Sequence, residues 1–215
     1  KKVLIGDEVG LGKTIEAGLL VRQLIDRNPS IRVLYLAPAR LVRNVVHEFR
    51  EKLDIDARQW VAGSMSDARI NDDKIVIASI HKAVFGSNLD MVANSGPWDV
   101  LIVDECHHLS DWDPAGGKPN QSFRLVSQLI KNLPNEGRLI LLSGTPHQGS
   151  EARFKNILRL LSDDGKNLNG AAGRVIFRTK DRVRDWTGAP LFPGREIRKP
   201  VVVELGERYI EWYRG

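Results

Sequence analysis

The glycine-rich stretch at residues 7–14, DEVGLGKT, constrains the fold of this chain more than any other part of it. It follows the apolar run 3–5, which is typical of a buried strand, and it precedes apolar residues at helical spacing over residues 15–25. A strand, a glycine-rich turn and a helix, in that order, form the context of a phosphate-binding loop. The sequence therefore predicts an anion site where the first strand meets the first helix.

The residue types in this turn suit a nucleoside triphosphate. Gly10 and Gly12 lack a Cβ, so their backbone can adopt positive φ and turn N–H groups toward an anion. The start of the following helix adds about half a positive charge. We predict that Lys13 reaches the β- and γ-phosphates of the nucleotide and that the Thr14 hydroxyl ligates Mg²⁺.

One position departs from the strict pattern of such loops. Where that pattern has its first glycine, this chain has Asp7, and Gly6 lies one residue earlier. We nevertheless count Asp7 among the predicted nucleotide-binding residues. On the turn alone, a glycine-rich turn that binds no nucleotide stays open as an alternative, whereas the flanking strand and helix favour the phosphate site.

The composition excludes some classes of protein. The 215 residues are 42% hydrophobic and 27% charged, which is typical of a globular domain that folds in water. The net charge of +5 fits a polyanionic partner but equally fits a mildly basic surface. Cys106 is the single cysteine, so we expect no intramolecular disulfide and a reducing, cytoplasmic compartment. No apolar run approaches the roughly 20 residues that cross a bilayer, so we expect no membrane partner.

Apolar runs of β type alternate with stretches of helical periodicity along most of the chain. The predicted strands are residues 32–36, 59–62, 74–78, 100–103 and 139–142, and the predicted helices cover residues 41–49, 123–133 and 154–161. Buried strands that alternate with helices favour an α/β fold, a mainly parallel sheet with helices on both faces.

The pattern weakens in the last quarter of the chain. Residues 165–173, GKNLNGAAG, are small and polar and predict a flexible connector. Later strands are predicted at residues 175–177 and 199–205. We therefore predict one domain over residues 1–165 and a basic connector with a strand and helix extension over residues 166–215.

Two carboxylates follow the buried run VLIV directly. A parallel strand that ends in Asp104 and Glu105 brings them to the carboxyl edge of the sheet, where ligands bind in open α/β folds. We predict that Asp104 holds Mg²⁺ and that Glu105 orients and deprotonates the attacking water. A capping or surface pair of acids is the alternative. Zinc is disfavoured because Cys106 and the two histidines after it are adjacent, without the spaced pairs of structural zinc sites.

A third polar turn, SGTP, follows the buried run LILL. Ser143 and Thr145 in this turn are predicted to hydrogen-bond the segment at Asp104 and Glu105 and to sense the γ-phosphate. Taken alone, such a sequence is also that of an ordinary turn.

These three stretches together resemble a known family. DEVGLGKT, DECHH and SGTPHQG resemble ATPase motifs I, II and III of superfamily 2 helicases, residues 36–49 resemble motif Ia, and Ala78 and Ser79 lie where motif Ib is expected. The motif sequences are more similar to those of the Swi/Snf-type translocases of double-stranded DNA than to those of RNA helicases. The stretches after motif III are most similar to the bacterial and archaeal branch, which includes RapA-like ATPases and translocases of phage defence.

The resemblance implies the first of two RecA-like lobes of a P-loop NTPase, which binds ATP and Mg²⁺ and drives movement on double-stranded DNA. It implies that the second lobe supplies the arginine fingers and that the adenine-reading segment lies upstream of motif I. We therefore expect a piece of a longer protein, with little or no turnover by itself. The implied partners are double-stranded DNA, the second lobe, and a nucleoprotein client such as RNA polymerase or phage-defence proteins, in the cytoplasm or on the nucleoid.

The resemblance also implies contacts with nucleic acid. Arg40 and Arg43 lie at the motif Ia position, and Ser79 and Lys82 lie at a second strand end. These side chains and nearby backbone N–H groups are predicted to hold phosphates without reading bases. A solvated helix face is the alternative. The five tryptophans are scattered and are expected mostly to pack in or around the core.

Other functions stay open from the sequence. One is a strand-separating helicase on RNA or DNA, and another is a nucleotide-dependent interaction module without catalysis. The intact Lys13, Thr14, Asp104 and Glu105 speak against lost catalysis, because each is predicted to be required for chemistry. A small-molecule kinase would not account for motif Ia or for SGTP.

Overall fold

The computed structural model describes residues 1–61, 70–71, 73–109, 120–145, 151–165, 167–192 and 194. The chain divides into two compact units, Lys1–Thr179 and Lys180–Gly215. The first unit carries the sheet and all of the predicted site residues.

Among the residues that the structure describes, the first unit is built on one seven-stranded sheet. Its strands are β1 (Lys2–Ile5), β2 (Val33–Ala37), β3 (Arg58–Gln59), β4 (Ile75–Ser79), β5 (Val100–Val103), β6 (Arg138–Leu142) and β7 (Val175–Ile176). Their order is β3-β4-β2-β5-β6-β1-β7, and every neighbouring pair is parallel. The predicted parallel sheet is confirmed, and all of its strands end at the same edge.

Helices cover both faces of this sheet. They are α1 (Lys13–Arg27), α2 (Val42–Leu53), α3 (Ile80–Ala83), α4 (Asn88–Ala93), α5 (Gln121–Lys131), α6 (Glu151–Leu161) and α7 (Leu168–Ala172). Buried residues of α1 and α2 form one core cluster with the sheet, and buried residues of α3 to α7 form the other. The prediction of helices on both faces is therefore confirmed.

The central strands β2, β5 and β6 are mostly apolar because each of them contributes side chains to both cores. In β2, Leu34 and Leu36 belong to one cluster, while Val33, Tyr35 and Ala37 belong to the other. Successive side chains of a strand point to opposite faces, so a strand buried on both sides shows a continuous apolar run. The same alternation holds in β5 and β6.

The flexible connector predicted at residues 165–173 is wrong for its second half, which forms α7. The side chain of Asn167 accepts a hydrogen bond from the Gly170 N–H at 2.9 Å and so caps the helix. Leu168 packs against the core and Ala171 is buried. These two apolar contacts anchor a segment whose composition is otherwise small and polar. The strand predicted at residues 199–205 lies outside the described residues.

The tryptophans divide between core and surface. Trp60 and Trp98 are buried, as expected, whereas Trp186 in the second unit is 96% exposed. Trp112 and Trp212 lie outside the described residues. In the second unit, Asp185 accepts hydrogen bonds from the backbone N–H groups of Thr187 and Ala189 and so orders the turn that carries Trp186. Within the described part of the chain, no helix combines the length and the apolar character needed to cross a membrane.

Candidate nucleotide-binding site

The loop between β1 and α1 has the geometry of an anion cradle. Gly10 and Gly12 adopt φ of 88° and 80°, a left-handed conformation that favours glycine. Helix α1 begins at Lys13, and its N-cap position, Gly12, provides no side-chain hydrogen bond. The N–H groups of the first helical turn therefore have no side-chain cap, which fits a site that receives a phosphate.

Lys13 lies over this loop. Its Nζ donates a hydrogen bond to the main-chain oxygen of Asp7 at 2.8 Å and lies 3.5 Å from that of Glu8. A Cβ on Gly144, in the third motif, would lie 3.5 Å from the same Nζ. The ammonium group thus lies between the first and third motifs, which come from the ends of the neighbouring strands β1 and β6.

Asp104 follows β5 and is 7% exposed. Its Oδ1 accepts the Glu105 N–H at 2.8 Å, and its Oδ2 accepts the Tyr35 hydroxyl at 3.2 Å. Burial raises the pKa of this carboxyl, while the hydrogen bonds and the charge of Lys13 act in the opposite direction. Lys13 is therefore close enough to Asp104 for their charges to interact, as the predicted site requires.

Tyr35 is a site residue that the sequence did not indicate. It lies in β2, is fully buried, and its ring packs edge-on against Phe49 with centroids 5.7 Å apart. Burial and then the Asp104 charge raise the pKa of its phenol, while a hydrogen bond with the Thr14 side chain lowers it. The two predicted Mg²⁺ ligands, Thr14 and Asp104, thus share one neighbouring hydroxyl. The only available signal was a phenol within an otherwise apolar strand.

Glu105 has a left-handed backbone, with φ of 49°. Such a conformation is unfavourable by about 1–3 kcal/mol for a residue with a side chain and is found preferentially at functional sites. Its Oε2 lies 3.1 Å from Nδ1 of His107. The hydrogen bond from His107 holds the pKa of the Glu105 carboxyl below its usual value, and Lys13 adds to this effect. Glu105 is therefore ionised and able to accept a hydrogen bond from water.

The third motif contacts the second through His107. Ser143 is fully buried, and its Oγ lies 2.9 Å from His107 Nδ1. The same oxygen accepts the Thr145 N–H at 3.1 Å. A chain of polar contacts thus connects Glu105, His107 and Ser143 to the turn at Thr145. His147 and Gln148, which follow in the sequence, lie outside the described residues.

A cavity of about 300 Å³ adjoins Asp104 and Glu105. It is bounded by the segments that follow β2 and β4, by the turn after Glu105 and by the start of α5. Its other lining residues are Pro38, Ile80, His81, His108, Leu109, Asn120 and Ser122. The cavity therefore lies between the carboxylates and the segments predicted to contact nucleic acid.

The predicted nucleic-acid residues lie at or beyond the ends of β2 and β4, which are paired strands with Ala37 opposite Ser79. Arg40, Arg43 and Lys82 are exposed. Ser79 is buried, and its hydroxyl accepts the Lys82 N–H at 3.4 Å as the N-cap of α3. The three cations share the carboxyl edge of the sheet with the phosphate loop, whereas the Ser79 hydroxyl already has a partner within the chain.

Asp7 is fully buried, and its carboxylate binds the guanidinium of Arg178. In the sequence, Arg178 is one of five basic residues in the stretch 174–184, RVIFRTKDRVR, and nothing in that stretch connects it to the phosphate loop. Arg174, in the same segment, pairs with Asp163. Two arginines of this segment therefore neutralise acids of the first unit.

The fold and the site define the class of protein to which this chain belongs. A parallel sheet with a glycine-rich phosphate loop after β1, an Asp-Glu pair after β5 and a polar turn after β6 is a RecA-like P-loop domain. The model of the SNF2-related domain matches residues 1–166. The chain belongs to this family of ATPase and helicase-like motor domains, and the resemblance to a first lobe of the Swi/Snf type is confirmed.

Curated relatives and solved structures agree with this assignment. The chain is 36% identical over 167 residues to the RNA polymerase-associated protein RapA of Stutzerimonas stutzeri, and 33% identical over 171 residues to that of Erwinia tasmaniensis. These alignments cover 74% and 76% of this chain but 17% of each relative, so the chain matches only about a sixth of their length.

The fold is also that of solved structures. The Sulfolobus solfataricus SWI2/SNF2 ATPase core in complex with double-stranded DNA matches with a TM-score of 0.62 at 17% identity, over 83% of this chain and 40% of that one. The Hef helicase domain of Pyrococcus furiosus matches with a TM-score of 0.61 at 16% identity, over 83% and 35%. At these sequence identities the comparison shows that the fold is shared and nothing further.

Proposed function

We propose that this chain is the ATP-binding half of an ATP-dependent motor that translocates on double-stranded DNA. The observation that carries the proposal is the meeting of three strand ends around one space. Lys13 lies beside Gly144, and its charge acts on Asp104 and Glu105. A cation, a hydroxyl and two acids at one sheet edge suit a metal-bound triphosphate.

Each residue then has a distinct role. The N–H groups after Gly10 and Gly12 bind the phosphates, and Lys13 turns from the Asp7 carbonyl toward the β- and γ-phosphates. Thr14 and Asp104 would hold Mg²⁺, which when bound neutralises the phosphate charge. Glu105 orients the attacking water and accepts its proton. Ser143 and Thr145 detect changes at the γ-phosphate through His107, because these groups are already in contact.

The nucleic-acid substrate is proposed to be double-stranded DNA. The exposed Arg40, Arg43 and Lys82 supply cations at the edge of the sheet that carries the phosphate loop. The solved SWI2/SNF2 core named above was bound to such DNA. The names of the RapA relatives describe association with RNA polymerase, so we propose a nucleoprotein client of that kind in the cytoplasm.

A complete catalytic site is proposed to need a second RecA-like lobe that provides arginine fingers. Loss of such an arginine commonly lowers turnover by about 10³- to 10⁵-fold. We therefore expect residues 1–215 alone to bind ATP weakly and to hydrolyse it little or not at all. Turnover by this chain alone that matches the DNA-stimulated rate of a two-lobed protein would contradict this part of the proposal.

The decisive experiment measures ATP hydrolysis by the full-length protein that contains residues 1–215, with double-stranded DNA, single-stranded DNA or RNA. We expect stimulation by duplex DNA and a loss of about 10²- to 10⁴-fold in Glu105→Gln. The matched control is Glu51→Gln, the same change on the exposed face of α2, which should keep the wild-type rate.

Other outcomes would select other functions. An unchanged rate in Glu105→Gln would overturn the catalytic assignment and favour a nucleotide-dependent interaction module. Strand displacement on a forked duplex would favour a strand-separating helicase over a translocase. Stimulation by RNA alone would contradict the assigned substrate.

A further inference from the structure

The position that breaks the strict phosphate-loop pattern is occupied by a fully buried charge. Asp7 is 0% exposed, and both of its carboxylate oxygens are bound by Arg178. Oδ1 accepts the Arg178 backbone N–H at 3.0 Å, and Oδ2 accepts its Nε–H at 2.8 Å and one of its terminal N–H groups. A buried carboxylate without such a partner would be strongly unfavourable, so Asp7 depends on Arg178 for its charge.

The backbone joins the same two segments. The Gly6 N–H donates to the Ile176 oxygen at 2.7 Å, and the Glu8 N–H donates to the Arg178 oxygen at 2.9 Å. These bonds continue the pairing of β1 with β7 beyond the strand end and into the phosphate loop. Main-chain hydrogen bonds and the Asp7–Arg178 ion pair therefore both join the start of the loop to β7 and the segment that follows it.

Arg178 also reaches the far end of the loop. Its second terminal contact is the Glu16 carboxylate, in the first turn of α1. One guanidinium thus binds Asp7, before the glycines, and Glu16, after them. Because a guanidinium is planar and rigid, its two contacts limit the distance between the ends of the loop.

We propose that Arg178 is a positioning residue that holds the phosphate loop in its anion-binding conformation through Asp7 and Glu16. The inference rests on the proposed binding of nucleotide at this loop. In this arrangement the Asp7 side chain acts on the nucleotide indirectly, while its main-chain oxygen accepts the bond from Lys13. An aspartate can occupy the position of the usual glycine because Arg178, which follows the neighbouring strand β7, binds its carboxylate.

A counter-intuitive result follows for Asp7→Gly. This change restores the residue of the strict pattern, yet it removes the anchor for Arg178, so nucleotide binding should weaken. Misplacing a group by about 1 Å can lower a reaction rate on the order of 10²-fold, and we expect a loss of nucleotide affinity of about tenfold. Arg178→Gln should cause a similar loss because it breaks the same link from the other side.

The test measures the affinity of the full-length protein for a fluorescent ATP analogue with Mg²⁺, in wild type, Asp7→Gly, Arg178→Gln and the double variant. We expect the double variant to bind no more weakly than the weaker single variant, because both remove one link. Arg178→Lys keeps the charge but not the fork of donors, so it should restore only part of the affinity.

Arg174→Gln is the matched control. Arg174 lies next to the other end of β7 and pairs with Asp163, so this change also removes an arginine–aspartate pair from the same segment. It should leave nucleotide affinity at the wild-type value. An equal loss of affinity in Arg174→Gln and Arg178→Gln would mean that general destabilisation, and not positioning, explains the effect, and would overturn the inference.

Amide hydrogen exchange without nucleotide provides a readout that does not depend on the proposed function. Arg178→Gln should speed exchange over residues 6–16 and leave the strands β2 and β5 protected. Unchanged exchange over residues 6–16 would overturn the positioning role of Arg178. So would wild-type affinity in Asp7→Gly and Arg178→Gln when Lys13→Ala abolishes binding. Either result would leave the proposed function intact. A wild-type protein that binds no ATP, with faster exchange in Arg178→Gln, would instead overturn the proposed function and keep the link.

Discussion

Tyr35 connects the hydrophobic core to the candidate nucleotide-binding site through its hydroxyl group. Its ring is part of the apolar core beside Phe49, and its oxygen donates to Asp104 at 3.2 Å. Groups that bind a metal ligand from behind fix its orientation, and their loss commonly lowers metal affinity about 10- to 100-fold. The phenol is therefore expected to matter for Mg²⁺ more than for folding.

Tyr35→Phe keeps the ring and removes only the hydroxyl. We expect the Mg²⁺ concentration for half-maximal nucleotide binding to rise about tenfold or more, because Asp104 loses an orienting donor. The measurement is a Mg²⁺ titration of nucleotide binding in the full-length protein.

The control for this prediction is nucleotide binding by the same variant, Tyr35→Phe, in the absence of Mg²⁺. Nucleotide binding in the presence of a chelator should equal that of wild type, and the free energy of unfolding should fall by only about 1 kcal/mol. An unchanged Mg²⁺ midpoint would contradict a role for Tyr35 in orienting Asp104.

Helices α1 and α2 pack closely because α1 has a glycine at their contact. Gly18 is buried, and a Cβ at this position would lie 2.2 Å from Leu53 Cδ1 and 3.0 Å from Phe49 Cε1. Phe49 is fully buried and also contacts Tyr35, so it has little freedom to move away. The glycine thus allows the helix that carries Lys13 to lie close to its neighbour.

Gly18→Val should lower the free energy of unfolding by about 1–3 kcal/mol, because the added atoms overfill this contact. Chemical denaturation of residues 1–215 measures the change. Leu19→Val is the matched control on the next residue, which is 55% exposed, and should change stability by no more than about 0.5 kcal/mol. Helix propensity favours valine over glycine, so a loss of stability in Gly18→Val can only come from packing, and an unchanged free energy of unfolding would contradict this prediction.

The elements with strong local patterns were predictable from the sequence. The strand at residues 100–103 has the predicted bounds, and the long helices α1, α2, α5 and α6 lie where apolar periodicity placed them. Helices α3 and α4 were not predicted, because four and six residues are too few to show a helical period. Helix α7 depends on a cap and two apolar contacts that composition alone does not indicate.

The candidate site residues that lie within motifs could be predicted from the sequence, whereas their contacts with residues far along the chain could not. Lys13, Asp104 and Glu105 lie in local patterns that carry their own chemistry. Tyr35 and Arg178 contact the site from residues 69 and 171 positions away from their partners. Such contacts follow from the order of the strands, which a single sequence does not specify residue by residue.

Strand β1 lies between β6 and β7, so the phosphate loop leaves a strand that is paired on both sides. The family model ends at residue 166, but β7 and the segment that binds the loop come after it. The first compact unit runs from Lys1 to Thr179. The region that shares a recognisable sequence is therefore shorter than the region that completes the sheet.

We predict that a chain cut at residue 166 is less stable than one cut at residue 179. The shorter chain loses α7 with its core contacts, and it loses the hydrogen bonds from the N–H groups of Leu4, Gly6 and Glu8, each worth about 1 kcal/mol. Thermal unfolding of the two chains gives the comparison. Equal midpoints would show that β7 adds nothing to the sheet.

Removal of β7 would also change how the molecule behaves in concentrated solution. An unprotected row of N–H and C=O groups along the apolar β1 would be open to strands of other copies, which is a common route to aggregation. Light scattering should accordingly detect self-association of the shorter chain and a monodisperse longer one. Expressing only the residues that the family model matches would therefore leave β1 as an exposed edge strand.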